Sequence, residues 1–271
     1  DTFTARDVAD EALRASRLLH LGYPTLMRAL YADGGDELAG ILARAKQAGA
    51  TTSLDISLPD PASPAGQADW RRIYEKALPY VDLFLPSVEE SLCTLHPRQY
   101  LQRRQQHAGG ELIDFIGADE VAEFAGEFLH LGCAVAGIKA GHNGWYLRSA
   151  GAARIAAMGR GAPCDSQAWA DRELWCPAFR VERIESSVGS GDCSIAAFLC
   201  GLLRGLPVEE CLRLANCAGA LNLRAMDATS GLPEWGALRA AASTLEVRDI
   251  AHLLGARWSW DSADALWRRA P

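Results

Sequence analysis

The sequence predicts an α/β fold, a largely parallel sheet covered by helices, with an antiparallel edge. Segments with apolar residues at helical spacing alternate with short apolar runs of strand length, as in a parallel sheet joined by helical crossovers. Beyond Ile138 the texture changes to aromatic-rich runs separated by a polar, Gly-rich connection, which suits antiparallel strands.

Residues 5–18 read as a helix, and Leu18 to Leu21 as a short buried strand running into a Gly22-Tyr23-Pro24 turn. Residues 37–47 have helical spacing and stop at Gly49, a C-cap signal. Residues 51–56 read as a strand. The same unit recurs: a helix over 69–78 before a strand over 81–85, and a helix over 119–131 before a strand over 133–139. Residues 144–148 and 175–181 read as the antiparallel strands. Helical patterns return over 193–204 and 207–224, with Pro207 at a start position. Residues 96–110, rich in Gln and Arg, are expected to form a mobile surface loop. The tail after Ala241, with Trp258, Trp260 and Trp267, is expected to pack rather than to offer an aromatic platform.

Composition bounds the function. The chain has 271 residues, about half of them apolar and about a quarter charged, as in an ordinary globular enzyme. No uncharged apolar run is long enough to span a membrane, and residues 1–22 lack the basic start and apolar middle of a signal peptide, so a cytoplasmic location is expected. The net charge of −7 provides no basic footprint for nucleic acid. Cys93, Cys133, Cys164, Cys176, Cys193, Cys200, Cys211 and Cys217 form no C-x-x-C pair, which argues against thiolate metal binding. Cys193, Cys200, Cys211 and Cys217 lie among small apolar residues and are expected to be buried. The histidines form no ligand constellation.

The chemistry concentrates in Ser187-Val188-Gly189-Ser190-Gly191-Asp192, a Gly-rich turn opening into an apolar helix. Small residues there leave backbone N–H groups free to converge at the positive end of a helix, a place for a phosphoryl group. A carboxylate at the mouth of such a hole repels a resting phosphate, and so makes sense as a proton acceptor for an attacking group. The alternative is that Asp192 caps the helix and the glycines only turn the chain.

This segment resembles the C-terminal signature of the PfkB, or ribokinase, family of carbohydrate kinases, with Gly189, Gly191 and Asp192 matching. Four other segments agree in order: Lys139-Ala140-Gly141-His142-Asn143-Gly144, Asn216 within Ala215-Asn216-Cys217, Asp227 to Pro233, and Leu85-Pro86-Ser87-Val88-Glu89-Glu90. The resemblance implies one ribokinase-like domain over 1–271, a mostly parallel Rossmann-like sheet with helices on both faces and antiparallel edge strands. It implies Asp192 as catalytic base, an anion hole at Gly189, Ser190 and Gly191, and ATP as donor. Lys139, Gly141, Asn143, Gly144, Asn216, Ser230 and Gly231 would contact the nucleotide, with His142 beside them, and Glu90 would help organise Mg²⁺. Gly144 is expected to matter for nucleotide binding more than for folding. The acceptor would be a sugar or nucleoside, and a homodimer is left open.

The sequence departs from the family at Ser87, where an asparagine is usual, which alters the magnesium shell. Ser186 and Val188 replace the Asp and Thr that help hold a monovalent cation. The family's N-terminal strands, di-glycine motif and lid do not precede Asp1, which implies a fragment or further residues ahead of it, and a poor enzyme in isolation. Asp55, at a strand end, is the remaining candidate to point at the acceptor, with a buried turn or cap as the alternative. No G-x-x-x-x-G-K-[ST] run is present and no G-x-G-x-x-G follows an early strand, which excludes a P-loop NTPase and disfavours a Rossmann dehydrogenase. Two readings stand: a kinase, and a nucleotide- or partner-binding relative without phosphotransfer.

Overall fold

The computed structural model describes residues 2–270. Over 5–18 a 3₁₀ turn (Ala5–Asp7) and a short helix α1 (Asp10–Ala15) replace the single helix expected. Val8 and Ala9 are extended between them, because the Arg44 guanidinium gathers the carbonyls of Ala5 and Val8 and the Asp10 carboxylate. Strand β1 (Leu18–Leu21) buries only Leu21. It lies at a sheet edge, which corrects the expectation of a buried strand.

Helix α2 (Arg28–Tyr31) leads into α3 (Asp36–Gln47), whose acidic first turn and basic last turn suit the helix dipole. Strand β2 (Thr51–Leu54) is fully buried. Helix α4 (Trp70–Ala77) begins at Asp69, whose carboxylate accepts the Arg72 N–H. Strand β3 (Leu83–Phe84) precedes α5 (Val88–Leu95). Residues 97–106 form a helix, α6 (Pro97–Gln106), where a loop was expected. Pro97 suits its first turn, Tyr100 buries against the core and Arg103 pairs with Glu120.

Next come α7 (Ala118–His130), β4 (Val135–Lys139), β5 (Trp145–Ser149), the short helices α8 (Ala152–Ala156) and α9 (Ser166–Trp169), and β6 (Glu173–Cys176). Helices α10 (Ser190–Leu203), α11 (Val208–Asn222) and α12 (Trp235–Thr244) follow, and a hairpin of β7 (Trp258–Asp261) and β8 (Leu266–Arg269) ends the described chain.

The strands form one sheet of eight in the order β1-β2-β3-β4-β5-β6-β8-β7. Pairing is parallel from β1 to β4 and antiparallel beyond. The hairpin therefore supplies the antiparallel edge, and β6 is interior. Trp258 packs edge-on against Tyr146 and Trp175, and Trp260 against Trp267, the packing role expected of the tail.

Both faces of the central strands are buried. Phe84, Tyr146 and Trp175 point into one core with α3, α4 and α7, while Leu83, Leu85, Trp145, Leu147 and Leu174 point into another with α10 and α11. That is the period-two alternation of strands covered on both sides. Among the described residues no helix is long and apolar enough to cross a membrane. The cysteines are free thiols, and burial raises those of Cys176 and Cys217 to about 11. Cys200, expected to be buried, lies on the outer face of α10.

At the amino end of β3, Asp82 is fully buried between Lys46 of α3, at 2.7 Å, and Arg154 of α8, at 2.8 Å. The Thr52 N–H also donates to its carboxylate, at 2.8 Å. Removing a partner from such a cluster leaves uncompensated charge. Asp82→Ala is expected to lower the unfolding free energy by about 3 kcal/mol in urea titrations.

Candidate active site

Parallel strands deliver the residues after their carboxyl ends to one cleft. Tyr23 follows β1, Asp55 follows β2, Glu90 lies in the first turn of α5 after β3, and Lys139 closes β4. Lys139 is fixed through its backbone, whose N–H donates to the Pro86 carbonyl at 2.8 Å. Its ammonium donates to the Asp55 carboxylate at 2.6 Å and to the Leu85 carbonyl. Asp55 is only 2% exposed, so it holds Lys139 and does not face an acceptor, which favours the buried reading of that residue. Burial raises the Asp55 pKa, and the Lys139 charge opposes the rise.

Ser87 and Glu90 form a capping box. The Ser87 hydroxyl accepts the Glu90 N–H at 3.2 Å, and Glu90 Oε2 accepts the Ser87 N–H at 2.6 Å. Serine at 87 thus keeps the local geometry. Burial raises the Glu90 pKa, with Lys139 pulling it down.

The glycine turn reaches the same cleft from the other side. Gly189 has φ +76°, and a Cβ there would lie 2.2 Å from the Ala228 carbonyl oxygen, so only glycine fits. Helix α10 begins with no side-chain cap. The Gly191 and Asp192 N–H groups, in its first turn, therefore have no intrahelical acceptor. A Cβ on Gly191 would meet the Lys139 side chain at 3.9 Å, which sets the ammonium's stem beside the turn. Asp192 is exposed and does not cap the helix; its Oδ1 accepts the phenol of Tyr23. The Ser190 hydroxyl and its N–H both donate to the Ser187 carbonyl, at 2.9 and 3.3 Å, so neither is free toward the cleft, contrary to the expected place of Ser190 in the anion hole.

The expected nucleotide residues split into two groups. Gly141 has φ +51° and open space where a Cβ would be. Gly144 has φ +95°, and a Cβ would lie 2.1 Å from the Cys176 oxygen, so the neighbouring strand requires this glycine. That favours a folding role for Gly144, contrary to its expected leaning toward nucleotide binding. Asn143 is buried, and Trp175 Nε1 donates to its carbonyl at 2.9 Å. The Asn216 amide donates to the Cys176 carbonyl at 2.9 Å, which ties α11 to the end of β6. His142 turns to Asp114, 3.0 Å away. Residues 227–231 lie against the glycine turn: Cys193 Sγ donates to the Ala228 carbonyl, and the Asp227 carboxylate accepts the Thr229 and Ser230 N–H groups. A Cβ on Gly231 would lie 2.5 Å from Asn222 Cα.

The Val188 carbonyl accepts the Asn222 amide at 3.0 Å. Among the described residues no cluster of metal-ligating side chains occurs. Glu90, with one carboxylate oxygen in its cap, fits an ion held chiefly by phosphate and water rather than by a protein cage.

Sequence reasoning missed Tyr23 and His20. His20, an exposed residue of β1, has Nδ1 3.1 Å from Ser53 Oγ; desolvation by the protein beside it lowers its pKa, opposed by Asp55. The signal available was a polar residue in an apolar strand, followed by a bulky residue before proline.

Lys139→Met is expected to lower stability by about 3 kcal/mol in urea unfolding, because it leaves Asp55 buried and unpaired, and adding Asp55→Asn recovers more than half of that. Gly144→Val is expected to lower the melting temperature, with Gly141→Ala changing it far less.

Known proteins agree with this architecture. A model of the pfkB family carbohydrate kinases matches residues 8–235. A curated relative described as an uncharacterized sugar kinase, from Archaeoglobus fulgidus, is 23% identical over 160 residues, 59% of this chain and 52% of its own. Among solved structures, Arabidopsis thaliana ribokinase, complexed with ribose and ATP, aligns with a TM-score of 0.56 at 16% identity, covering 86% of this chain and 58% of its own. Aminoimidazole riboside kinase from Salmonella enterica, complexed with aminoimidazole riboside and an ATP analogue, aligns with a TM-score of 0.53 at 17% identity, covering 83% and 62%. The chain thus spans between half and two thirds of the length of these relatives, and the fold is ribokinase-like. Because the family model runs across every element that builds the cleft, this chain belongs to the pfkB family of carbohydrate kinases.

Proposed function

We propose that the protein transfers the γ-phosphoryl group of ATP to a hydroxyl of a sugar or nucleoside, with Asp192 as base. One observation carries this reading: an exposed carboxylate stands in the first turn of an uncapped helix, beside the strand-end residue Tyr23. In the reaction, the acceptor oxygen bonds to the γ-phosphorus as the bond from that phosphorus to the bridging oxygen breaks. The electron pair leaves with ADP, and the acceptor proton passes to Asp192. The Gly191 and Asp192 N–H groups stabilise the charge on the transferring phosphoryl oxygens. Mg²⁺ bound to the phosphates would neutralise charge there, with Glu90 as its nearest protein support.

Charge balance supports that division of labour. Asp55, Glu90 and Asp192 outweigh Lys139, so the cleft's side chains alone do not attract a polyphosphate, and the helix terminus supplies the anion affinity. Family membership and relatives solved with ATP or its analogue support the donor; relatives solved with ribose and a riboside support the acceptor class.

The test is a kinase assay of the full-length protein across a panel of sugars and nucleosides. Asp192→Asn is expected to keep the fold and ATP affinity while lowering turnover at least about 100-fold. Near-normal turnover in that variant would remove the proposed base. Undetectable turnover in the wild type, with ATP still bound, would support the non-transferring alternative. The Val188 carbonyl is already bonded and Ser186 carries no charge, so exchanging sodium for potassium at constant ionic strength is expected to leave the rate unchanged. A several-fold rise would mean that a cation site persists.

A further inference from the structure

Asp192 is gripped from across the cleft. The phenol of Tyr23, in the connection after β1, donates to Asp192 Oδ1 on α10 and joins segments 169 residues apart. No cap or salt bridge otherwise orients this carboxylate among the described contacts. A side chain so exposed would sample several rotamers, with a loss of alignment in the reacting complex.

The backbone of Tyr23 is built to make that contact. Tyr23 sits at φ +57°, ψ +48°, in the left-handed region that bulky residues seldom adopt. Surrounding bonds hold it there. Its N–H donates to the Asp55 carbonyl at 3.2 Å, and its carbonyl accepts the Leu26 N–H at 3.0 Å. Pro24 opens the following 3₁₀ turn, and the Thr25 and Ser57 hydroxyls bond to each other at 2.5 Å, pinning that turn to the segment after β2. A strained residue held by several neighbours and ending on a reactive group is the pattern of a functional constraint.

We propose that Tyr23 is a positioning residue, which holds Asp192 through Oδ1 so that Oδ2 faces the acceptor hydroxyl. The inference rests on reading Asp192 as the base. Tyr23 itself transfers no proton. Burial, followed by the bond to Asp192, pushes its ionisation well above the ordinary phenol range, so it stays a donor at physiological pH. The other ionisable groups facing the pair are His20 from β1, Asp55 after β2, Glu90 of α5, Lys139 of β4 and Cys193 of α10. None of them makes a hydrogen bond to the Asp192 carboxylate among the described contacts.

The experiment has two arms on the full-length protein. In the kinetic arm, Tyr23→Phe removes the hydroxyl and keeps the ring. It is expected to lower kcat about tenfold while leaving the KM for ATP and the melting temperature nearly unchanged. In the spectroscopic arm, which needs no turnover, tyrosinate absorbance is followed against pH. Asp192→Asn removes the charged acceptor that adds to burial in keeping the phenol protonated, so Tyr23 is expected to ionise at lower pH than in the wild type. The Tyr23→Phe, Asp192→Asn double variant should lack that transition. If Asp192→Asn loses turnover while Tyr23→Phe keeps full kcat, the positioning role falls and the base reading stands. Normal turnover in Asp192→Asn overturns both. A tyrosine titration unchanged by Asp192→Asn overturns the contact itself.

Discussion

The contact between Lys139 and Asp55 is the constraint on which the cleft depends. An ammonium at the end of a buried strand must find acceptors, and here it finds the Asp55 carboxylate and the Leu85 carbonyl. Those partners follow β3, the parallel neighbour of β4, and β2, the strand beyond it, so satisfying one side chain fixes the relative height of three strand ends. The stem of the same lysine lies beside Gly191, which links the sheet to the first turn of α10. Desolvating such a pair is costly, and removing either member costs more than the pair contributes. The site is therefore defined by a charge that cannot be left alone.

Each cleft carboxylate is held by a different kind of donor. Asp55 has an ammonium, Glu90 has the backbone N–H of Ser87, and Asp192 has a phenol. The first is closed to solvent and structural. The second leaves one oxygen outside its cap. Only the third is exposed at a helix N-terminus, the placement a proton acceptor beside an anion hole requires. Beneath this, Asp82 binds Lys46 and Arg154 at the opposite end of the sheet, so ion clusters brace both ends of the parallel strands.

Local patterns were legible in the sequence wherever one segment suffices to define them. The helix over 69–78, the Gly49 stop, the alternation of helix and strand and the turn at Gly189 to Asp192 are all local statements, and they hold. The features that escaped join distant segments. Arg44 breaks the first helix from another helix, and Asp82 meets a cation 72 residues away. Tyr23 meets Asp192 across 169 residues. Helix α6 escaped because its many Gln and Arg side chains resemble loop composition, while one buried Tyr100 and the Arg103 to Glu120 pair anchor it. The hairpin escaped because its tryptophans find partners on strands formed far earlier in the chain.

The glycines of the matched segments show how far a motif can mislead about cause. Gly144, Gly189 and Gly231 invite reading as places where backbone approaches a ligand, yet a Cβ at each would strike protein backbone first. Gly201 and Gly219 extend the point, since they let α10 and α11 approach until Cys211 and Ser194 fill the space a side chain would take. These residues build the platform from which the N–H groups of α10 project. Gly141 and Gly191 differ, because an added Cβ would meet open space at the first and only the flexible lysine stem at the second. At Gly191 the missing side chain leaves room in the cleft itself, whereas Gly141 is already required by its own backbone, held at φ +51°.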